Sequence, residues 1–403
     1  MNSKNVLLLF GFIGLLISYI LYNEKIIFSN KEGLNEVNFN NKNLKYIETP
    51  FPITHLVKIN DELLICSGIN YPQIFITKEY LSNQINNGAL FLYNTKSNEF
   101  QQLKIENFPN SIPFHPHGFD FYKESFDKYY LYIINHSIRL NPEENEERIE
   151  KVLLTIDFKQ KKVSLFFKNT VTLPQNFFGT LNSLAIFNLN TLYFTTQNYF
   201  SLPSYIYEKE NIKSFLYIIK DILYNWMNII IQKLNLKKAH LYSYNWENGE
   251  INSIQNSEGL SNSGLAFNRQ LSILYMARSH EKDIKVFEIS RNKPTKALYI
   301  NSIKTIYNVG NIFYDNENDK IYAGIYGSTR ELKNLENNFI NKGNFDDITT
   351  FGGFEEINIK NIYEISDLIV MKNQLKGIFS AIKIKNNIYL SSKYQNRILV
   401  LSK

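Results

Sequence analysis

The residues best suited to acid–base chemistry sit close together in the chain. Of six histidines, three fall in Phe114-His115-Pro116-His117-Gly118-Phe119 and the following Asn135-His136. Imidazole is the usual general base near neutral pH because its unperturbed pKa lies there. The 19-residue interval from His117 to His136 accommodates one strand, a turn and the strand back, so the two rings can meet at one end of a strand pair. The same spacing also suits structural histidines satisfied inside a core. The only cysteine, Cys66, lies in the apolar run Leu63-Leu64-Ile65-Cys66 and reads as a small buried hydrophobe on a strand. A single cysteine excludes an intrachain disulfide and any cysteine-pair metal site. Asn135-His136-Ser137 has the form of a glycosylation sequon but overlaps the histidines, and we read it as chance.

The elements that must carry these residues repeat. A turn rich in Asn, Asp or Lys leads into an alternating apolar strand that stops at a small or polar residue. The theme appears as Asn60-Asp61-Glu62 before LLICSG, Phe126-Asp127-Lys128 before YYLYIINHS, and Asn188-Leu189-Asn190 before TLYFTTQN. It returns as Asn268-Arg269-Gln270 before LSILYMARS, Asn316-Glu317-Asn318-Asp319 before KIYAGIYG, and Asn386-Asn387 before IYLSSK. Some copies are followed by a second strand, as at Asp283 to Ile289 and Arg397 to Leu401. A strand–turn–strand unit recurring every forty to eighty residues or so is how a propeller blade looks in sequence, because each small sheet buries its faces only against neighbouring blades. The six copies predict an all-β, six-bladed β-propeller over residues 49–403.

Composition agrees with that class. Aromatic residues make up 15% of the 403, with 27 Tyr and 30 Phe, and such side chains suit pleated, half-buried surfaces. The net charge of +6 comes from 44 Lys+Arg against 38 Asp+Glu. The lysines are scattered rather than gathered in a stripe, which argues against a nucleic-acid partner.

Two segments fall outside the blade pattern. Residues 6–22, VLLLFGFIGLLISYILY, are largely apolar and span roughly 25 Å as a helix, at the short end for a bilayer. The rival is a signal peptide, but no small-x-small cleavage site follows the run. We therefore expect an uncleaved signal-anchor at residues 1–25 and a polar arm at 26–48. That places the propeller in the secretory lumen or on the outer face of a membrane. The second segment is an insertion at about 205–238. Within it, residues 210–238 predict an amphipathic helix carrying Ile222, Trp226 and Ile230, either a lid on the propeller or an interfacial helix dipping into lipid.

Four short motifs carry a resemblance: Ser67-Gly68-Ile69-Asn70-Tyr71-Pro72, Pro116-His117-Gly118, Asn135-His136 and Leu181-Asn182. In this order and nearly this spacing they resemble the paraoxonase and arylesterase family, from about Asn43 to the C-terminus, with an interruption at the helical insertion. The apolar N-terminal segment also resembles that family's retained signal sequence. The resemblance implies a six-bladed propeller with two calcium ions in its central tunnel, hydrolysing lactones and aryl esters. It places His117 and His136 as the catalytic base pair and Tyr71 on the substrate rim. Asn182 and Asn311 fall on ligands of the catalytic calcium, and Phe119 falls on a carbonyl ligand of the deeper one. A third asparagine ligand falls at Ser263, with Asn262 one position away.

The acidic ligands that the resemblance implies are replaced. Ile53-Thr54 stand where a Glu-Asp pair is expected, Ser183 follows Asn182 and Gly310 precedes Asn311. Calcium takes six to eight oxygens and draws its affinity largely from carboxylates. Two functions follow as expectations. One is a membrane-tethered hydrolase of small hydrophobic esters or lactones, with calcium as its implied cofactor. The other is a catalytically silent propeller binding lipid, a small hydrophobic ligand or a protein.

Overall fold

The structure is a computed structural model that describes residues 44–69, 88–136, 147–157, 162–173, 179–197, 236–328, 349–360 and 363–402. Met227, Leu234, Glu331, Leu332, Asn334 and Leu335 are described between them. The chain divides into Met1–Glu36 and Val37–Lys403, and every described strand belongs to the second unit. The expected anchor at 6–22, Tyr71 and nearly all of the helical insertion at 205–238 lie outside the described residues. Among the described residues no helix is long and apolar enough to cross a membrane.

The described strands form six antiparallel sheets in chain order, which makes the chain a six-bladed β-propeller. Their innermost strands are Ile53–Lys58, Pro116–Lys123, Leu181–Ile186, Asn262–Asn268, Asn308–Asp315 and Ile378–Ile384. We number the blades 1 to 6 in that order. The six repeats read from the sequence are the second strands of these blades, from Leu63–Ile69 in blade 1 to Asn387–Ser392 in blade 6. Blade 2 carries a fifth strand, Ile105–Glu106, which pairs in parallel with Lys162–Thr172.

Blade 6 is closed by residues from the other end of the described chain. Leu44–Glu48 pairs antiparallel with Arg397–Ser402, from Leu44 opposite Leu401 to Glu48 opposite Arg397. The last five residues of the segment expected to be a polar arm are therefore the outer strand of the last blade. Their polar side chains suit that edge, where Lys45, Tyr46 and Glu48 stay exposed while Ile47 is buried. A ladder at this seam does the joining work for which a disulfide is chemically unavailable.

Core packing follows the same sixfold logic. Six apolar clusters form, one at each junction between adjacent blades. Ile284 and Val286 of blade 4, for instance, meet Val309, Ile312 and Ile321 of blade 5. Cys66 is fully buried at the junction of blades 1 and 6, the place a small hydrophobe would take. Each blade thus leaves both faces to its neighbours.

Every innermost strand is interrupted at an equivalent place. The pairing register with the second strand shifts between Ile53 and His55, Pro116 and Phe119, Leu181 and Leu184, Asn262 and Leu265, Val309 and Ile312, and Ile378 and Ser380. Such bulges twist a strand and re-aim its side chains. Here they bring the inner strands of successive blades into backbone contact. A Cβ on Gly264 would lie 2.6 Å from Asn311 Cα and from Ile312 N in the next blade.

Gly264→Ala should therefore lower stability in denaturant unfolding by about 3 kcal/mol, since the neighbouring backbone cannot yield. Gly249→Ala, at a turn with φ +71° and nothing within 4 Å of the added carbon, should cost only about 1 kcal/mol. Equal costs for the two variants would show that the inner strands are not in fixed contact.

Candidate functional site

The bulges and the ends of the second strands together build one mouth of the tunnel. On each inner strand the bulge holds one or two residues: Thr54, His117-Gly118, Asn182-Ser183, Ser263-Gly264, Gly310-Asn311 and Phe379. The register also defines, on each second strand, the residue just beyond the partner of the last inner-strand position before the bulge. In blades 1 to 6 these are Ile69, His136, Gln197, Ser279, Tyr326 and Lys393. Blade 2 alone has histidine at both positions.

The geometry brings those two histidines together. Pro116 pairs with Asn135, and the rings of His117 and His136 lie 5.1 Å apart between centroids at 55°. His117 Nδ1 is 2.8 Å from the Asn182 carbonyl oxygen of blade 3. A neutral ring donating there presents Nε2 as an acceptor. Burial, and next the neighbouring His136, push the His117 pKa down to about 3.

Sequence reasoning missed the partner of His136. Its Nδ1 lies 3.1 Å from Glu147 Oε2, and the Glu147 side chain is only 4% exposed. The same oxygen accepts the Leu181 amide at 3.0 Å, which locks the carboxylate in place. Glu147 begins the third strand of blade 2 directly opposite His136 in the ladder. The chain between them, 137–146, lies outside the described residues, and no spacing rule in the sequence pairs the two. Only the strand register exposes the pair.

His115 does not join the pair. Its ring is buried with Nδ1 3.0 Å from the His136 carbonyl, and burial first of all lowers its pKa to about 4. Asn135 lies beneath, fully buried, accepting the His115 amide at 2.8 Å and donating to Glu150 Oε1 at 3.0 Å. A glycosylation enzyme has no access to it, in keeping with a chance sequon.

The residues assigned to calcium are differently employed. Asn311 Nδ2 donates to the Thr54 carbonyl and to Ser380 Oγ, both at 3.1 Å, and Asn182 Nδ2 donates to Gln197 Oε1 at 3.1 Å. Asn262 is not brought to them. Its Nδ2 donates to the Ser257 carbonyl in the segment leading from blade 3 into blade 4, while the Ser263 hydroxyl faces blade 5, with the Val309 and Gly310 carbonyls each 3.0 Å away to accept its hydrogen. Phe119 is met edge-on by the His55 ring at 5.2 Å between centroids, and its carbonyl accepts from that ring. Where carboxylates would be expected, Ile53 is buried in apolar packing and Thr54 Oγ1 is bonded to Ser67 Oγ at 3.0 Å. Among the described residues no group of three or more His, Cys, Asp or Glu could hold a metal ion. Among the described residues the amide nitrogens at these positions are paired with neighbouring oxygens, and no carboxylate stands beside the amide oxygens that remain, so the set is a poor fit to a calcium shell, which draws its affinity from charged ligands.

A cavity of about 300 Å³ opens at the other end of the tunnel, lined by Leu56, Phe121, Phe267, Arg269 and Phe313 among others. Its lining comes from the C-terminal ends of the inner strands, whereas the histidine pair sits at their N-terminal ends. The histidine pair with its buried carboxylate is the candidate centre for acid–base chemistry.

No family model and no curated protein matches the chain. Among solved structures it is similar to a luciferin-regenerating enzyme at 10% identity, over 89% of this chain and 95% of that one, with a TM-score of 0.49. It is also similar to a gluconolactonase candidate at 9% identity, over 89% and 91% of the two chains, with a TM-score of 0.46. A third likeness is to the nidogen/laminin complex at 10% identity, over 78% and 86%, with a TM-score of 0.41. Identity this low transfers no substrate or mechanism.

Two outcomes follow for solution measurements. His55, whose pKa burial lowers to about 4, and His115 are both held neutral in the fold and bind protons more readily once unfolded. Their contribution is complete above the unfolded value near 6.5 and is lost as pH falls toward 4, roughly 2 kcal/mol each by pH 5. The melting temperature should therefore drop between pH 6.5 and 4.5, and a flat profile would refute their neutrality. Millimolar calcium, in contrast, should leave the melting temperature unchanged, because only a ligand that binds the folded state raises it. A rise that saturates with calcium would restore a metal site.

Proposed function

We propose that the chain is a hydrolase of small hydrophobic esters or lactones, with the Glu147–His136–His117 array as its acid–base centre. The observation that carries this reading is the Glu147 carboxylate on His136 Nδ1. A carboxylate there holds the imidazole in one tautomer, with Nε2 as the base, and stabilises the imidazolium that forms when a proton arrives. His117 is too weak a base to take that proton at neutral pH. Its acceptor nitrogen instead holds the second hydrogen of the attacking water and so aims the oxygen.

The reaction balances with these groups alone. Water gives a proton to His136 as its oxygen bonds to the carbonyl carbon. The tetrahedral intermediate then expels the alkoxide or phenoxide, which recovers the proton from His136. No step is routed through calcium.

The cavity at the opposite end favours a second reading, a silent propeller that binds a small hydrophobic ligand there. Hydrolysis of phenyl acetate or a γ-lactone separates the two. His136→Asn should reduce kcat/KM by roughly 10³-fold, and Glu147→Gln by roughly 10²-fold with the fold intact by thermal melting. Wild-type protein that turns over neither substrate would leave the binding role.

A further inference from the structure

With no cluster of metal ligands among the described residues, the hydrolytic reading still needs a positive group facing the carbonyl oxygen as charge develops on it. The strand register supplies one. Lys393 follows Ser392, the partner of Ile378 just before the blade 6 bulge. His136 follows Asn135, the partner of Pro116 just before the blade 2 bulge. Lys393 is thus the blade 6 counterpart of His136 at the same mouth, with Ile69 of blade 1 between them.

Side-chain contacts keep the lysine there. Its Nζ lies 4.7 Å from the centroid of Phe379, the bulge residue of its own blade, and 4.9 Å from that of Tyr394. Phe379 is in turn stacked on Tyr326 of blade 5 at 5.2 Å and 15°, and a Cβ on Gly310 would lie 2.5 Å from the Phe379 carbonyl. The ring is therefore fixed from the neighbouring blade, and an ammonium above its face is drawn by the ring quadrupole. Burial first, and next His136, hold His117 neutral, and Lys393 adds a smaller contribution in the same direction.

We propose that Lys393 is the electrophilic residue of the site, its ammonium stabilising the oxyanion formed when water adds to an ester or lactone carbonyl. This rests on the hydrolytic reading above and adds the group that does the work of a metal. When the water oxygen bonds to the carbonyl carbon, the displaced electron pair moves to the carbonyl oxygen facing Nζ. It returns as the ester C–O bond breaks, and Lys393 keeps its protons throughout.

The test uses full-length protein, phenyl acetate and γ-butyrolactone, with and without a calcium chelator. Lys393→Met should lower kcat by about 10²-fold or more while KM changes little, since the charge is needed only in the transition state. Lys393→Arg should recover most of the loss, and added methylammonium should recover part of it in the methionine variant. Should Lys393→Met fail to fold, Lys393→Gln provides the same comparison. Unchanged kcat in a folded neutral variant would overturn the role of Lys393 and leave the hydrolytic reading standing. Wild-type activity abolished by chelator would overturn it as well, by assigning the charge to a metal. Absence of any wild-type turnover would remove both readings.

Discussion

The inner strands of successive blades meet through a closed circuit of hydrogen bonds between neutral groups, and the geometry of the mouth depends on it. Ser67 Oγ donates to the His117 carbonyl at 2.8 Å, joining blades 1 and 2, and His117 Nδ1 reaches the Asn182 carbonyl of blade 3. Thr195 Oγ1 donates to the Ser263 carbonyl at 2.7 Å and Ser263 Oγ carries the circuit to blade 5. Asn311 Nδ2 passes it to Ser380, whose hydroxyl donates to the Thr54 carbonyl at 3.3 Å and returns it to blade 1. Each bond is worth only about 1 kcal/mol net, but an unmet buried partner costs more than a bond returns. Such a ring therefore tolerates little change at any one member.

The ring also gives a physical reason for the missing carboxylates. A carboxylate accepts hydrogen bonds and cannot donate them. Threonine at position 54 pairs its hydroxyl with Ser67, and Ser263 donates to two carbonyls at once. An acid at either place would set negative charge against those same oxygens, with burial adding to the penalty. A metal-binding tunnel solves that conflict with a cation. At Thr54 and Ser263 the side chains donate instead, while Ser183 Oγ accepts the Leu265 amide at 3.1 Å and Gly310 has no side chain to place there. His117 takes part in the ring through Nδ1, which leaves its other nitrogen outside the ring.

Much of this was legible in the sequence because a propeller repeats. The turn–strand theme identified all six second strands, and the spacing of His117 and His136 brought their rings together as a strand pair must. What escaped reading depends on register across loops or across the chain. Glu147 meets His136 only because two strands pair in one frame, and Leu44–Glu48 meets Arg397–Ser402 across almost the whole chain. Asn262 and Ser263 illustrate the finer limit: a bulge between them and Leu265 re-aims the side chains, so a one-residue ambiguity in alignment exchanges a residue facing blade 5 for one bonded to the segment before its own strand. The residue ending each repeat was itself a signal, apolar only in the first copy. Aligning the six copies places Ile69, His136, Gln197, Ser279, Tyr326 and Lys393 in one column, but periodicity does not say that the column lines a mouth.

That column explains how a sixfold scaffold can hold an asymmetric site. The backbone repeats, so each blade offers one bulge position and one strand-end position to the mouth, and the chemistry is set by which side chains occupy them. Blade 2 places two imidazoles there, blade 3 two amides, blade 4 two hydroxyls, and blades 5 and 6 an aromatic pair with an ammonium above it. Basic and cationic groups therefore face the same space from blades separated by Ile69 of blade 1, an apolar gap that pairs with neither. The opposite end of the tunnel carries a different set, with His55, Lys58 and Arg269 beside Asp120, Asp315 and Glu317. His55 and Phe119, packed edge to face and both buried, lie between the histidine pair and the larger cavity. A molecule in that cavity meets Arg269 and aromatic walls without reaching the acid–base groups. The two ends of the tunnel therefore present different side chains, Arg269 and aromatic walls at the cavity and the histidine pair at the mouth.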